Sequence, residues 1–116
     1  AKIACPDRPV VAFCGDGGFM FGCGEMATIA HYRLNIPVVV INNGGYKILN
    51  NTQKRRYGRT IGTELTNPDF VKFGESFGFR ALRVDGTKAL APALKDALAA
   101  GKPTLIEVPI EFKPYR

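Results

Sequence analysis

Two short apolar runs, each followed by glycines and one oxygen-bearing side chain, constrain the fold of this chain most strongly. Residues 9–14 (PVVAFC) and 37–42 (PVVVIN) contain no charged residue. Such uninterrupted runs are typical of parallel strands that are covered on both faces. Asp16 follows the first run and Asn43 follows the second. Because the carboxyl ends of parallel strands meet at one edge of a sheet, we expect both side chains at that edge.

Helical and extended patterns alternate along the rest of the chain. After the first glycines, apolar residues recur at spacings of three and four, which predicts a helix over roughly residues 19–33. Asn67-Pro68-Asp69 is a strong helix start in which Asn67 can act as the cap, and Thr87 can cap the following helix. The other predicted elements are a helix ending at Gly78, a strand at 80–84, a helix stopped by Gly101 and a strand at 104–108.

This order of elements, βαβ–loop–αβαβ, predicts an α/β fold with a mainly parallel sheet and helices on both faces. Residues 43–66 are the least regular part, although the stretch near residues 48–55 fits a helix. A connection of this length within one domain is typical of a functional segment. Residues 1–5 have the pattern of a helix end, so we expect the domain to be incomplete at its N-terminus, and we expect residues 113–116 to form a loose tail.

The composition is that of one globular domain. The 116 residues carry a net charge of +6, and no apolar run approaches the roughly 18 residues of a membrane span. Much of the positive charge lies in residues 54–59, where only Tyr57 is available to stack on bases, so we expect no nucleic-acid partner. A solvated loop, or a loop that shields an anionic cofactor, accounts for this charge. The three cysteines lack metal-binding spacing, which favours buried thiols in a reducing, cytoplasmic compartment.

Asp16 and Asn43 form a candidate magnesium site. Asp16 and Asn43 are 27 positions apart, which suits a turn, one helix and one strand, so the two side chains can converge. Mg²⁺ prefers oxygen ligands and usually takes few from the protein, which leaves room for phosphate oxygens and water. Gly15, Gly17 and Gly18 allow the backbone to approach a phosphate at the start of a helix. The competing interpretation is a tight turn in which Asp16 only caps that helix.

These motifs resemble those of thiamine-diphosphate-dependent enzymes of the group around acetolactate synthase. The family signature is Gly-Asp-Gly, an intervening helix and strand, and then Asn-Asn. Here the signature runs from residues 15–17 (GDG) to residues 42–43 (NN), and the resemblance covers about residues 1–112. Residues 67–70 (NPDF) and 103–108 (PTLIEV) are similar to later landmarks of the same domain.

The resemblance implies a thiamine-diphosphate-binding fold, a cofactor and a ligand set. Asp16 and Asn43 would bind Mg²⁺ through their side chains, and Gly45 would bind it through its carbonyl. The implied activity is an acetolactate synthase-like carboligase or decarboxylase that acts on small 2-oxo acids. The residues implied to bind thiamine diphosphate and its metal are Gly15, Asp16, Gly17, Gly18, Asn43, Gly45, Tyr46 and Ile48.

Two positions of this chain depart from well-defined subgroups of the family. Decarboxylases similar to the pyruvate and indolepyruvate enzymes carry an active-site Glu where Leu49 stands, which counts against that subgroup. Acetolactate synthases carry a Trp where Thr52 stands, and this chain contains no Trp. The resemblance therefore implies the reaction class and leaves the individual substrate open.

The resemblance assigns no catalytic residue to this chain. In the family, the catalytic Glu comes from a separate pyrimidine-binding domain, usually of a neighbouring subunit. We therefore expect residues 1–116 to be the diphosphate- and magnesium-binding domain of a larger homo-oligomeric enzyme, present here as a fragment or a split subunit.

Two other functions fit parts of the sequence. One is a catalytically inactive fragment that serves as a cofactor-binding or oligomerisation module. The other is a flavodoxin-like or nucleotide-binding domain, which would use a glycine-rich phosphate loop with a characteristic Lys or spacing of glycines. Residues 15–18 (GDGG) offer an Asp instead of a Lys, and a carboxylate suits a metal better than a bare phosphate.

Overall fold

The computed structural model describes residues 1–112, so the tail predicted for residues 113–116 lies outside the described part of the chain. The predicted α/β class is confirmed, because four parallel strands form one sheet in the order β1-β2-β4-β3. The strands and helices are β1 (Ala12–Gly15), α1 (Asp16–Gly22), α2 (Glu25–His31), β2 (Pro37–Asn42), α3 (Lys47–Tyr57), α4 (Phe70–Ser76), β3 (Arg80–Arg83), α5 (Gly86–Ala99) and β4 (Thr104–Pro109).

Helices cover both faces of the sheet, as predicted. On one face, Phe19 of α1, Met26 of α2 and Phe70 of α4 pack on β2 and β4 around Val40 and Leu105. The opposite face is covered by α5, and the residues that form that second core are Val39, Val84, Ala97, Ile106 and Val108, with Ile41, Leu82, Ala89, Leu90, Ala93 and Leu94 at its border. The two central strands, β2 and β4, are therefore buried on both sides, in agreement with their uninterrupted apolar sequences.

The first strand differs from the prediction. It spans Ala12–Gly15 instead of residues 9–14, and its burial alternates along the strand. Phe13 lies beside Val39 in the parallel register, on the α5 side of the sheet, yet its side chain is 65% exposed. The cause is position: β1 is an edge strand, and the described core on the α5 side draws its strand residues from β2, β3 and β4 and their ends.

The single helix predicted over residues 19–33 is also wrong in its extent. The structure contains two seven-residue helices, α1 and α2, separated by a turn at Cys23 and Gly24. Glycine costs about 1 kcal/mol relative to alanine inside a helix, and Gly22 directly precedes this turn while Gly24 lies within it. The apolar stripe survives the interruption, because Phe19 and Met26 are both buried in the same core.

Two predicted helix caps are corrected by the structure, and one predicted helix is confirmed. Asp69 caps α4 by accepting hydrogen bonds from the backbone N–H groups of Val71 (3.1 Å) and Lys72 (3.2 Å), whereas Asn67 is engaged elsewhere. Thr87 lies inside α5, which already begins at Gly86.

The helix predicted near residues 48–55 is present as α3. None of the helices in the described part of the chain has the length and apolar character that crossing a bilayer demands.

Phe70→Ala should test the packing of α4 on the sheet. Phe70 is fully buried, and its ring meets that of Phe19 edge to face at a centroid distance of 5.5 Å. We expect a loss of about 3–5 kcal/mol in the free energy of unfolding, measured by urea titration. Phe21→Ala is the matched control, because Phe21 is 85% exposed and its loss should change stability by no more than about 0.5 kcal/mol. Equal losses for the two variants would contradict this description of the core.

Candidate functional site

The carboxyl ends of β1 and β2 bring Asp16 and Asn43 to the same edge of the sheet. The two strands are hydrogen-bonded neighbours, and Gly15 at the end of β1 lies opposite Ile41 of β2. Asp16 is the first residue after β1, and Asn43 is the first residue after β2. Both residues line one cavity of about 390 Å³.

All eight residues predicted to bind the cofactor and its metal line this cavity. The complete lining is Gly15, Asp16, Gly17, Gly18, Asn43, Gly45, Tyr46, Lys47, Ile48 and Leu49. Lys47 and Leu49 are additions to the predicted set. Three pieces of chain therefore build the walls: the end of β1 with the start of α1, the turn after β2, and the first turn of α3.

The carboxylate of Asp16 is buried, at 2% exposure, and accepts three hydrogen bonds. Its Oδ1 accepts from the backbone N–H of Gly17 at 2.9 Å. Its Oδ2 accepts from the backbone N–H of Gly45 at 3.0 Å and from the side-chain amide of Asn67 at 2.7 Å. A carboxylate offers about four lone-pair directions, two on each oxygen. Within the described residues, one direction on Oδ1 stays open, so Oδ1 is the oxygen available to a metal ion.

Asn43 presents the clearest sign that something binds in this cavity. Its side-chain Oδ1 is buried, and no residue of the described part of the chain donates a hydrogen bond to it. Leaving such an oxygen unpaired costs about 1–3 kcal/mol, so an oxygen in this state is available to an external ligand. Asn35 has a buried, unpaired Oδ1 as well, but it precedes β2 and so lies at the other edge of the sheet. The Asn43 oxygen differs because Asn43 lines the same cavity as Asp16, whereas Asn35 does not.

Gly45 ties the cavity to the segment that follows α3. An antiparallel bridge pairs Gly45 with Glu64, and the N–H of Tyr46 donates to the carbonyl of Thr63 at 2.8 Å. A Cβ on Gly45 would lie 2.3 Å from that same Thr63 oxygen, and the Gly45 φ is +153°, so only glycine fits here. The Gly45 carbonyl accepts one bond, from the N–H of Lys47 at 3.0 Å, which leaves its second lone pair open.

Tyr46 closes the cavity from the side of Gly17. A Cβ on Gly17 would lie 2.3 Å from the Cε1 atom of Tyr46, so the tyrosine ring rests directly on the glycine backbone. The ring of Phe21 stacks on that of Tyr46, with 6.2 Å between the two ring centroids. The requirement for glycine at position 17 therefore comes from Tyr46, in addition to any approach of a phosphate.

The positively charged residues near the end of α3 lie apart from this cavity. Lys54, Arg55, Arg56 and Arg59 are exposed, and Arg55 and Arg56 line a separate depression together with Thr52. The structure favours a solvated cluster of charge over one that shields an anionic cofactor. The residues belong mainly to the helix α3, and not to a loop as predicted. Within the described lining of the cavity, the positive side chain is Lys47, which forms an ion pair with Glu64.

Four polar residues that a chain of hydrogen bonds connects to Asp16 were not predicted as members of a site. Asn67 and Asn42 join Asp16 in a hydrogen-bonded group, and the Nδ2 of Asn42 donates to Oε1 of Glu107 at 2.7 Å. Glu107 is only 2% exposed, and its Oε2 accepts from Nε of Arg83 at 2.8 Å. This hydrogen bond and the charge of Glu107 raise the pKa of the Arg83 guanidinium. The signal available in the sequence was a charged residue inside the otherwise apolar strand at 104–108.

Comparison with known proteins identifies the family. The model of the thiamine pyrophosphate enzyme C-terminal TPP binding domain matches residues 1–108. This chain belongs to that family. Its cofactor is therefore thiamine diphosphate (thiamine pyrophosphate), which the family uses with Mg²⁺. Membership of this family sets aside the flavodoxin-like or nucleotide-binding alternative.

Relatives and solved structures agree with this assignment. Acetolactate synthase of Bacillus subtilis (strain 168) is 35% identical over 112 residues, which cover 97% of this chain and 20% of that protein. A probable acetolactate synthase large subunit of Methanococcus aeolicus is 34% identical over 113 residues, 96% of this chain and 19% of that protein. The thiamine diphosphate-dependent 4-hydroxybenzoylformate decarboxylase of Rhodococcus jostii RHA1 matches with a TM-score of 0.88 and 36% identity, over 97% of this chain and 22% of that one.

These figures also show that the chain spans about a fifth of the length of the relatives it matches.

The oxygen atoms of the cavity fit the cofactor's metal, independently of the comparisons. It supplies an open lone pair on the Asp16 carboxylate, an unpaired amide oxygen on Asn43 and a half-occupied carbonyl on Gly45, all of them hard oxygen donors.

Gly17→Ala should show that Tyr46 sets the shape of this cavity. The new methyl group must displace the Tyr46 ring, so we expect a loss of about 1–3 kcal/mol in stability, measured by urea unfolding. Gly18→Ala is the matched control, because nothing lies within 4 Å of its Cβ position and alanine favours the helix. In a Tyr46→Ala background the cost of Gly17→Ala should largely disappear; an unchanged cost there would contradict the assignment.

Proposed function

We propose that this domain binds the diphosphate end of thiamine diphosphate through a Mg²⁺ ion held by Asp16, Asn43 and the carbonyl of Gly45. The observation that carries the proposal is the buried, unpaired Oδ1 of Asn43 in the cavity that Asp16 also lines. Mg²⁺ commonly takes one or two protein carboxylates or amides and completes its octahedron with phosphate oxygens and water. Three protein oxygens leave enough positions for a diphosphate.

The glycines around Asp16 support this proposal from the side of the diphosphate. Beyond the Cβ positions of Gly15 and Gly18 there is open space, with no atom of the described residues within 4 Å. Both glycines line the cavity, so a phosphate can approach the backbone there without meeting a side chain. Ile48 and Tyr46, at the start of α3, form the facing wall.

We further propose that the domain works within a thiamine-diphosphate-dependent enzyme that decarboxylates or ligates small 2-oxo acids. When bound, the cofactor supplies the carbanion stabilisation that such reactions require. The relatives support this class, since they include acetolactate synthases and a 4-hydroxybenzoylformate decarboxylase. The substitutions at Leu49 and Thr52 leave the individual 2-oxo acid and acceptor to experiment.

The partner that this proposal requires is a pyrimidine-binding domain of the same enzyme, in a homo-oligomer. Support comes from the length of the relatives. This chain covers about a fifth of each, so most of each relative consists of other parts. The exposed apolar side chains of Ile48 and Leu49 beside the cavity suit burial against such a partner. The catalytic Glu would come from that partner. A cytoplasmic location agrees with the three free cysteines.

The second candidate is a module that binds the cofactor without catalysing turnover. The same exposed apolar residues favour it, because they would also promote self-association. Steady-state turnover of pyruvate or benzoylformate by the assembled protein separates the two functions. Cofactor binding that is intact while no 2-oxo acid is consumed would leave the module as the better description.

Asp16→Ala should abolish the dependence of thiamine diphosphate binding on Mg²⁺. Loss of a direct ligand should weaken cofactor affinity by more than about 100-fold, the upper end of what it costs to lose a residue that hydrogen-bonds to a metal ligand. Isothermal titration calorimetry with and without Mg²⁺ measures this change, and Asn43→Ala should behave in the same direction. Asp96→Ala, which removes an exposed carboxylate of α5 paired with Arg80, is the control and should bind normally. Unaltered affinity in Asp16→Ala would refute the proposed site.

A further inference from the structure

We propose that Asn67 is a positioning residue of the metal site, which clamps one oxygen of Asp16 so that the other remains free for the ion. This inference rests on the proposed function. Asn67 lies between α3 and α4, 51 positions along the chain from Asp16, and has no part in the predicted signature. Its side-chain amide nevertheless makes the 2.7 Å hydrogen bond to Asp16, the shortest of the three that this carboxylate accepts.

The amide of Asn67 uses both of its hydrogens. Nδ2 donates to Oδ2 of Asp16 at 2.7 Å and to Oδ1 of Asn42 at 3.0 Å. Oδ2 of Asp16 also receives the backbone N–H of Gly45, so both of its lone pairs are engaged. Oδ1 receives only the N–H of Gly17. The asymmetry between the two oxygens is therefore produced largely by Asn67.

This asymmetry has a consequence for the metal. The terminal torsion of an aspartate is broad, so hydrogen bonds are needed to fix the plane of its carboxylate. Charge-assisted bonds from Asn67 and Gly45 fix the position of Oδ2, and the open lone pair stays on Oδ1. With Asn67 removed, each oxygen keeps a single backbone partner, so the plane of the carboxylate is held less firmly. A ligand that must be reoriented before it binds has a lower affinity for the ion.

A chain of hydrogen bonds fixes which way Asn67 points. Both oxygens of Glu107 act as acceptors, because Oε2 accepts from Nε of Arg83 and Oε1 accepts from the amide of Asn42. Asn42 must therefore turn its amino group toward Glu107, at 2.7 Å, and its oxygen toward Asn67. Asn67 must in turn present its amino group to this oxygen, and the same group reaches Asp16. The pair of buried Glu107 in β4 with exposed Arg83 in β3 thus helps to set the orientation of the clamp, together with the N–H of Gly44, which donates to Oδ1 of Asn42 at 3.2 Å.

The obvious structural role for Asn67 is already taken. Residues of this type often cap helices, but the cap of α4 is Asp69, whose carboxylate accepts from the N–H groups of Val71 and Lys72. The described hydrogen bonds of the Asn67 side chain go to Asp16 and Asn42 alone. Its placement is therefore explained by the metal site and not by the helix that follows.

Asn67→Ala in the complete enzyme that contains this domain tests the inference. The probe is Mn²⁺, whose free ion is counted by electron paramagnetic resonance during titration in the presence of saturating thiamine diphosphate. We expect the Mn²⁺ affinity to fall about 10- to 100-fold, the usual cost of losing a partner of a metal ligand. The titration is run well below the unfolding midpoint of each variant. If Asn67→Ala does not fold, Asn67→Ser, which cannot reach both acceptors, is held to the same expectation.

Asn35→Ala is the matched control. Asn35 is also half-buried and also donates a side-chain hydrogen bond, to the Leu98 carbonyl at 2.9 Å, but at the opposite edge of the sheet. Its Mn²⁺ affinity should stay within about twofold of the wild type, since it is distant from the ligands. If Asn67→Ala also stays within that range while Asp16→Ala loses the ion, the clamp is wrong and the proposed function stands. If the wild-type enzyme shows no cofactor-dependent Mn²⁺ binding, both proposals are wrong.

Discussion

The parallel pairing of β1 with β2 is the interaction on which the rest of this site depends. It sets Gly15 opposite Ile41, and so delivers Asp16 and Asn43 to one edge of the sheet at consecutive strand ends. A shift of one residue in this register would turn the side chains of a whole strand to the opposite face. The burial of β2 on both sides, by two separate cores, holds that register in place. The core packing along β2 therefore also fixes the position of Asn43, which follows the end of this strand.

A buried polar network lies directly against this apolar sheet, and its completeness explains how the fold tolerates it. Glu107 is surrounded in β4 by fully buried apolar neighbours, yet both of its oxygens accept hydrogen bonds, from Arg83 and Asn42. Burying an unpaired carboxylate would cost several kcal/mol, so each partner is needed. The exception among the groups beside the cavity is Oδ1 of Asn43, and the network satisfies its neighbours while leaving that atom open. An oxygen of this kind is what a domain that binds a metal cofactor must preserve.

Much of the fold, and the position of Asp16 and Asn43 at one edge of the sheet, followed from the sequence, for reasons that particular residues make clear. The runs at 9–14 and 37–42 predicted parallel strands because such strands need no alternation of polar residues, and the glycines marked their ends. The same reasoning failed for Phe13, because an apolar run does not reveal whether a strand lies at an edge of the sheet. It failed for Asn67, because its local pattern is that of a helix cap while its partner Asp16 is 51 positions away. Contacts of this range become visible only when the chain is folded.

The titratable side chains of the cavity indicate that the proposed reaction needs acid–base groups from a second part of the protein. The titratable side chains among its described lining residues are Asp16, Tyr46 and Lys47. Asp16 accepts three hydrogen bonds and offers one remaining lone pair, Lys47 is paired with Glu64, and the Tyr46 ring lies on Gly17 as part of the wall. Each of the three therefore already serves the cavity wall, an ion pair or the proposed metal site. Under the proposed function, the acid–base groups would come from the pyrimidine-binding partner that the proposal requires.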